Sequence, residues 1–297
     1  MIRSRRGFTL VELLVVMVLV TILSAVVGRV MINGLRVSQA QMVQAGLQSN
    51  VRVGGLVVPL ELREIGYDSN ITTNAVTSDI EVMANSHIQF LAMRGFGLTC
   101  GTPTLNELRI RKPAMSYRPP RLNDGFLFFV ENDQNTGLDD QWIPLAVTAI
   151  DYNSLCGADS AIALTMDIPQ VAPMVNLALS QIFLGGPVRF FERMRFGAFV
   201  DADGLTYLGA RSVSLGEGNY RAVAGPIDPA NGLRFRYFNR AGAVLDPATA
   251  NPVTARLVEL TLQGLTAQPV SLAGSSQRAT NRMTVEARVA LRNTLRH

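Results

Sequence analysis

An uninterrupted apolar stretch near the amino terminus constrains this 297-residue chain more than any other feature. Residues 8–28 contain one charged residue, Glu12, and no proline. About 20 apolar residues in a helix span the roughly 30 Å hydrocarbon core of a bilayer. Three arginines in residues 1–7 precede the stretch, and the positive-inside rule places this end in the cytoplasm. We therefore expect one membrane-spanning helix, with the rest of the chain beyond the membrane.

A cleaved secretory signal peptide is the alternative, because it also combines a basic start with an apolar core. Two features oppose that interpretation: the apolar run is longer than the core of a secretory signal, and Glu12 lies inside it. A carboxylate in lipid costs a few kcal/mol unless it finds a partner. Glu12 is therefore a candidate functional residue.

Residues 7–14 read GFTLVELL and resemble the class III signal of type IV pilins and type II secretion pseudopilins. The shared features are a short basic leader, Gly7 before the cleavage site, Phe8 as the first mature residue and a glutamate, Glu12, as the fifth. The resemblance implies that a prepilin peptidase cleaves between Gly7 and Phe8 and methylates the new Phe8 amine. It also implies that the apolar segment is kept after cleavage.

The same resemblance gives Glu12 a role in assembly and register. In a fibre its carboxylate would pair with the Phe8 amine of a neighbouring subunit, because an unpaired carboxylate is costly in a helix bundle of low dielectric constant. The alternative is that Glu12 extends to the membrane interface and has no partner.

After Arg29 the pattern becomes amphipathic, and a row of apolar residues recurs at helical spacing along one face. Polar residues fall largely between them, which predicts that one helix face packs on a globular head. Pro59 is expected to kink or restart this helix. We divide this part into a leader at 1–7, a transmembrane segment at 8–30 and an amphipathic continuation at 31–66. The residues of the packed face are Val43, Leu47, Val51, Val58, Leu62 and Ile65.

Residues 67–297 are predicted to form a head of antiparallel β-sheet, so the fold class is α+β with a long amino-terminal helix. Segments near 162–168, 233–237, 258–262 and 283–291 alternate apolar and polar residues, as half-buried antiparallel strands do. Residues 201–204 and 239–242 have the composition of hairpin tips. We place an irregular, insertion-rich part at 67–185 and a regular sheet at 186–297.

Two further stretches resemble PilW-like minor pilins. Residues 59–68 (PLELREIGYD) resemble the end of the long helix in those proteins. The strand-like segment VRFFERMRFGAFV and the segments after it follow an order that PilW-like minor pilins share with J-type pseudopilins. The length of the chain favours the PilW-like branch.

The resemblance implies a structural assembly protein and not an enzyme: a minor pilin that primes or caps a type IV pilus within a minor-pilin complex. The implied partners are prepilin peptidase, other minor pilins, the major pilin, the inner-membrane assembly platform and the bilayer. The implied location is the inner membrane with a periplasmic head, and then the fibre at the cell surface, as in pili for twitching motility. A J-type pseudopilin of type II secretion, a tip adhesin and a DNA-uptake subunit are the alternatives.

Cys100 and Cys156 are the only cysteines in the chain. A disulfide persists outside the cytoplasm, and one that closed this loop would contribute about 3–4 kcal/mol in the chain-entropy model. Two buried free thiols are the alternative, because sequence alone does not fix the separation of the two residues.

One acidic segment suggests a cation site. Asp133, Asn135, Gly137 and Asp139 fall at alternate positions, as oxygen ligands do in a calcium loop. Pro144 stands where an EF-hand has its glutamate, and an acidic turn is the alternative. The sequence requires no cofactor, and calcium is the one metal that these residues suggest.

Charge gives no global case for nucleic acid as a partner. Of 27 basic residues three lie in residues 1–7, which leaves 24 against 23 acidic residues. Locally, Arg189, Arg193 and Arg195 share one parity along a predicted strand. They indicate either a basic and aromatic patch for DNA or a solvated sheet face with cross-strand ion pairs. The interleaved aromatic residues are Phe190, Phe191, Phe196 and Phe199.

Catalysis has little support in the sequence. His87 is the only histidine before the carboxy-terminal His297, and neither a phosphate-binding loop nor an HExxH motif occurs.

Overall fold

The computed structural model describes residues 9–63, 65, 67–70, 75–101, 104, 107–112, 118–130, 141–145, 147–166, 184–271 and 278–291. Here the chain forms one long helix, α1 (Leu10–Arg63), a set of strands and a 3-10 helix at Pro252–Thr254. The strands are β1 (Tyr67–Asn70), β2 (Ala75–Ser78), β3 (Ile80–Met83), β4 (His87–Leu98), β5 (Glu107–Arg111), β6 (Gly125–Val130), β7 (Gln141–Leu145), β8 (Val147–Cys156), β9 (Asp159–Met166), β10 (Pro187–Val200), β11 (Thr206–Ser212), β12 (Arg221–Ala224), β13 (Leu233–Phe238), β14 (Val244–Leu245), β15 (Leu257–Leu265), β16 (Val270–Ser271), β17 (Arg278–Ala279) and β18 (Arg282–Ala290).

The helix α1 is about 80 Å long at 1.5 Å per residue. Its first half is exposed along nearly its whole length, and burial begins only near Leu47. The predicted packed face is confirmed from Leu47 onward: Leu47, Val51, Val58 and Leu62 are buried, whereas Val43 is half-buried. The helix continues through Pro59 to Arg63 without the restart that the sequence suggested. Val58 and Leu62 are both fully buried, and this packing holds the last turn in place.

A seven-stranded antiparallel sheet is built around β10. This strand pairs with β4 along most of its length, with β6 near its start and with β11 near its end. The strands β12 and β3 lie at the two ends of the main path, and β7 pairs with β6. A four-stranded sheet has the order β14-β13-β15-β18, and a three-stranded sheet has the order β5-β9-β8. The predicted antiparallel head is therefore confirmed.

The boundary that we expected at residue 185 does not divide the head. The central sheet pairs β4, which precedes the boundary, with β10, which follows it. Residues 75–166 also contain regular strands, including the twelve residues of β4 and the ten of β8. Strand pairing joins residues far apart in sequence, and the periodicity of one segment carries no information about its partner.

The apolar side chains form two clusters. The larger lies between α1 and the inner faces of the central and four-stranded sheets, and includes Val58, Phe196 and Leu260. The smaller lies between the three-stranded sheet and the start of β10, and includes Phe190. At Gly54 the helix approaches the sheets so closely that a Cβ would fall 2.5 Å from Leu262 Cδ2. This glycine therefore allows close packing of the helix on the sheets.

A buried ion network lies where the two clusters meet. The pairing of β4 with β10 shifts by one residue at Phe190 and Phe191, and this bulge leaves Arg94 as an extra residue in β4. Its Nε lies 2.7 Å from Glu192 Oε2 in β10, and its Nη1 lies 2.7 Å from Glu61 Oε2 in α1. The network thus joins the last turns of the helix to the central sheet.

A second arginine completes this network. The Arg118 guanidinium donates two hydrogen bonds of 2.7 Å to Asp124 and lies 3.3 Å from Glu192. Burial raises the pKa of Glu192, but the hydrogen bond from Ser212 and the charges of Arg94 and Arg118 outweigh burial and hold the pKa below its ordinary value near 4.5. The stabilisation by Glu192 is therefore present above that ordinary value and is lost as the pH falls through the lower folded-state pKa.

Cys100 and Cys156 form a disulfide with a Cα–Cα distance of 6.0 Å, as the sequence led us to expect. Cys100 follows β4 and Cys156 ends β8, so the bond connects the central and three-stranded sheets. The described residues contain no free cysteine.

We predict that Cys100→Ser combined with Cys156→Ser lowers the free energy of unfolding by about 4 kcal/mol. The bond closes a loop with a sequence separation of 56 residues, and a loop of that length costs about this much in the chain-entropy model. Urea unfolding of the full-length protein in detergent measures the change, with the wild type under reducing conditions as a comparison. An unchanged midpoint would contradict a stabilising role for the bond.

We predict that Glu192→Ala lowers the free energy of unfolding by about 3 kcal/mol, because it leaves the buried Arg94 and Arg118 charges undercompensated. Glu107→Ala is the control. Glu107 and Arg109 form an exposed pair of the same 2.7 Å length, and its loss should cost less than about 1 kcal/mol. Equal losses of unfolding free energy in the two variants would show that the buried network stabilises the protein no more than an exposed ion pair does.

Candidate functional site

The candidate site is the amino-terminal helix, and its first turn has the geometry of a capping box. Glu12 N donates to Thr9 Oγ1 at 3.3 Å, and Thr9 N donates back to Glu12 Oε2 at 3.4 Å. The Thr9 hydroxyl also donates to Glu12 Oε2 at 3.3 Å. Thr9 is therefore the N-cap of α1, and Glu12 is the third helical residue.

This arrangement gives the Glu12 carboxylate two polar partners in its own turn, but neither carries a charge. Within the described part of the chain no cationic group lies at ion-pair distance from it. An intramembrane carboxylate that lacks a charged partner can accept one from another molecule. Gly7 and Phe8, the predicted cleavage site, lie outside the described residues, so their role stays a prediction.

The helix is long and apolar enough to cross a membrane, and the apolar window near its start is exposed throughout. A buried core helix of a soluble protein would be covered by other elements. Exposure of so many apolar side chains is consistent with a membrane anchor.

The carboxy-terminal half of α1 has two apolar faces. The inner face packs on the sheets through Val51, Val58 and Leu62. On the opposite side a second row, which we call the outer stripe, recurs at alternating spacings of four and three residues. Such spacing is the heptad pattern of helices that pack along one another. The outer stripe consists of the exposed residues Met42, Gly46, Ser49, Val53, Leu56 and Leu60.

Sequence reasoning missed the outer stripe. The inner face has a clear helical period, and we expected the residues between its members to be largely polar. A count of a second apolar row with a period of 3.5 residues would have found Val53, Leu56 and Leu60.

The arginines of β10 share one face, as their parity predicted, but most already have partners. The Arg189 guanidinium lies 4.2 Å from the centre of the Trp142 ring, and Arg193 Nε lies 2.6 Å from Glu81 Oε1. Phe190, Phe191 and Phe196 are buried. Arg189, Arg193 and the three buried phenylalanines therefore do not form a continuous basic and aromatic patch, and the alternative of cross-strand ion pairs is confirmed at Arg193.

The remaining candidates are the acidic segment, proposed for calcium, and His87. Asp133, Asn135, Gly137 and Asp139 lie outside the described residues, so calcium stays untested. Among the residues that are described, no group of three or more His, Cys, Asp or Glu side chains is placed to hold a metal ion. His87 Nδ1 lies 3.3 Å from the hydroxyl of its neighbour in sequence, Ser86.

A comparison with protein families finds the prokaryotic N-terminal methylation motif at residues 2–28. This match supports a type IV prepilin-like protein. Proteins that carry this motif are typically structural, and the motif is consistent with a membrane anchor, prepilin peptidase processing and assembly with pilin partners. The match covers the leader and the start of α1, where Thr9 and Glu12 form the cap. Neither the search of curated proteins nor that of solved structures found a significant match.

We predict that Leu56→Ala leaves the stability of the head within about 0.5 kcal/mol of the wild type, because Leu56 lies on the outer stripe. Leu62→Ala is the matched change on the inner face and should cost about 2–5 kcal/mol, because it opens a cavity in the core. Urea unfolding of both full-length variants in detergent measures the difference. Similar losses would mean that the outer stripe supports the head.

Proposed function

We propose that the protein is a minor pilin of a bacterial type IV pilus, of the PilW-like kind, that primes fibre assembly within a minor-pilin complex. The observation that carries the proposal is the outer stripe. Beyond the predicted membrane segment, α1 extends for about another 50 Å, and this part presents an exposed row of heptad-spaced, largely apolar residues along its side. A helix that only anchored the head would not need this second apolar face.

In this proposal the inner face of α1 holds the head, and the outer stripe holds neighbouring helices. Prepilin peptidase removes residues 1–7 and methylates the Phe8 amine. Glu12, whose described partners in its own turn are the neutral groups of Thr9, then accepts the Phe8 amine of a neighbouring subunit. A charge pair in a low-dielectric bundle fixes axial register, because leaving either charge alone is costly.

The proposed partners are other minor pilins and the major pilin, with the inner-membrane assembly platform during extraction. The head faces the periplasm and then the outside of the cell. A periplasmic location suits the disulfide between Cys100 and Cys156, because disulfides persist in oxidising compartments. The same motif and helix also occur in pseudopilins of type II secretion, so the experiment must separate the two machines.

The test is a count of surface pili in a deletion strain that cannot retract its fibres. The strain is complemented with the wild type, with Glu12→Ala and with Glu286→Ala, an exposed residue of the head. We expect the wild type and Glu286→Ala to restore pili. We expect Glu12→Ala to insert in the inner membrane and lose its leader but to restore few pili or none.

Two outcomes would overturn parts of the proposal. Full restoration by Glu12→Ala would show that the carboxylate is not needed for assembly. Undiminished pili in the deletion strain, together with loss of enzyme secretion, would assign the protein to type II secretion instead.

A further inference from the structure

The outward face of the central sheet carries a group of cationic and aromatic side chains that no part of the proposed function uses. Register brings them together: Arg195 of β10 lies opposite Arg211 of β11, and Phe199 lies opposite Tyr207. Tyr220, from the segment between β11 and β12, lies over the same strands. We call Arg195, Arg211, Tyr220, Phe199 and Tyr207 the outer platform.

The rings of the outer platform form a layer against the strand backbones. The Phe199 and Tyr220 rings are stacked, with centroids 5.6 Å apart and planes 17° apart, and the Tyr207 ring lies 6.1 Å from Phe199. Glycines beneath the rings make this approach possible. A Cβ on Gly209 would fall 2.6 Å from the Phe199 ring, and a Cβ on Gly197 would fall 2.9 Å from Tyr220 Oη. All three aromatic residues are half-buried.

The two arginines of the platform lack carboxylate partners in the described part of the chain. Arg195 donates at 2.9 and 2.6 Å to Gln89 Oε1, which is neutral. Arg211 donates to Gly218 O at 3.2 Å, and its buried Nε has no hydrogen-bond partner among the described residues. The Arg211 guanidinium lies 5.1 Å from the Tyr220 ring centre. Arg193, on the same face, is neutralised by Glu81.

His87 of β4 lies opposite Gly197 of β10, near the arginine end of the platform. Burial, followed by the charges of Arg195 and Arg211, lowers the pKa of His87 below its ordinary value. At the other end Tyr207 donates to Asp203 at 2.6 Å. The Arg211 guanidinium thus lies beside the stacked rings, and the Asp203 carboxylate lies at the opposite end of the platform.

We propose that the outer platform binds single-stranded nucleic acid, with phosphates on Arg195 and Arg211 and unpaired bases against the Phe199 and Tyr220 rings. Single strands offer both groups at once, and sheet faces that carry aromatic side chains bind them by stacking. A duplex keeps its bases paired, and an acidic polysaccharide offers charge without flat aromatic rings. The proposal concerns the head alone and does not depend on the role of α1 in assembly.

The test is fluorescence anisotropy with full-length protein in detergent and a labelled oligothymidine of about 12 nucleotides. We expect Arg195→Gln combined with Arg211→Gln to weaken binding and to reduce the slope of log affinity against log salt by about 1.4, because two phosphate contacts on a single strand are lost. Phe199→Leu should weaken binding about tenfold through lost stacking, with a smaller change in the salt slope.

Arg193→Gln is the matched control, because Arg193 has the same strand, face and residue type but is already paired with Glu81. We expect it to bind within about twofold of the wild type, and urea midpoints verify that all variants are folded. Wild-type affinity in the double arginine variant would overturn the proposal. Equal competition by a duplex of the same length or by an acidic polysaccharide would also overturn it, because charge alone would then explain binding.

Discussion

Burial of the inner face of α1 is the contact on which the rest of the structure depends. Two sheets meet on this face, and Val58 and Leu62 have no accessible surface there. Each such side chain contributes about 1.5–3 kcal/mol when it is fully buried. Because one helix face is committed to the head, the opposite face is left for other molecules. The division of α1 into an inner face and an outer stripe therefore links the fold to the proposed assembly.

The ion network at Arg94 makes this contact specific. Apolar packing alone allows a helix to slide or rotate over a sheet, because dispersion and burial have little directionality. The bonds from Arg94 to Glu61 and Glu192 fix one position of the helix end on the strands. The network also lies between the two apolar clusters, where Arg118 and Asp124 extend it. We infer that it sets the orientation of the head on the helix.

The local pattern of the sequence predicted individual strands and turns. It did not predict which distant strands pair with each other. The sequence predicted strands β13, β15 and β18 and the two hairpin tips, because each of these depends on adjacent residues. The central position of β10 could not be predicted, since its partners β4 and β6 lie far away in sequence. Arg94 illustrates the limit: its burial follows from a register shift that no single segment encodes.

The functional residues divide in the same way, because consecutive residues could be predicted and residues joined by strand pairing could not. The motif around Glu12 was recognisable because its residues are consecutive, and the structure adds the Thr9 cap. The outer platform required the register of β10 on β11, which brings Arg195 beside Arg211. The parity of β10 alone pointed to Arg189, Arg193 and Arg195. The structure shows Arg189 over the Trp142 ring and Arg193 paired with Glu81, which leaves Arg195.

Thiol labelling of two single-cysteine additions in living cells tests the central claim most directly. Leu56→Cys places a thiol on the outer stripe and Val58→Cys places one on the inner face; the described native cysteines are paired. The account predicts that Leu56→Cys is labelled in cells that cannot assemble fibres and protected in cells that can, whereas Val58→Cys is protected in both. Equal labelling of Leu56→Cys with and without assembly would contradict the claim that this face packs on neighbouring helices.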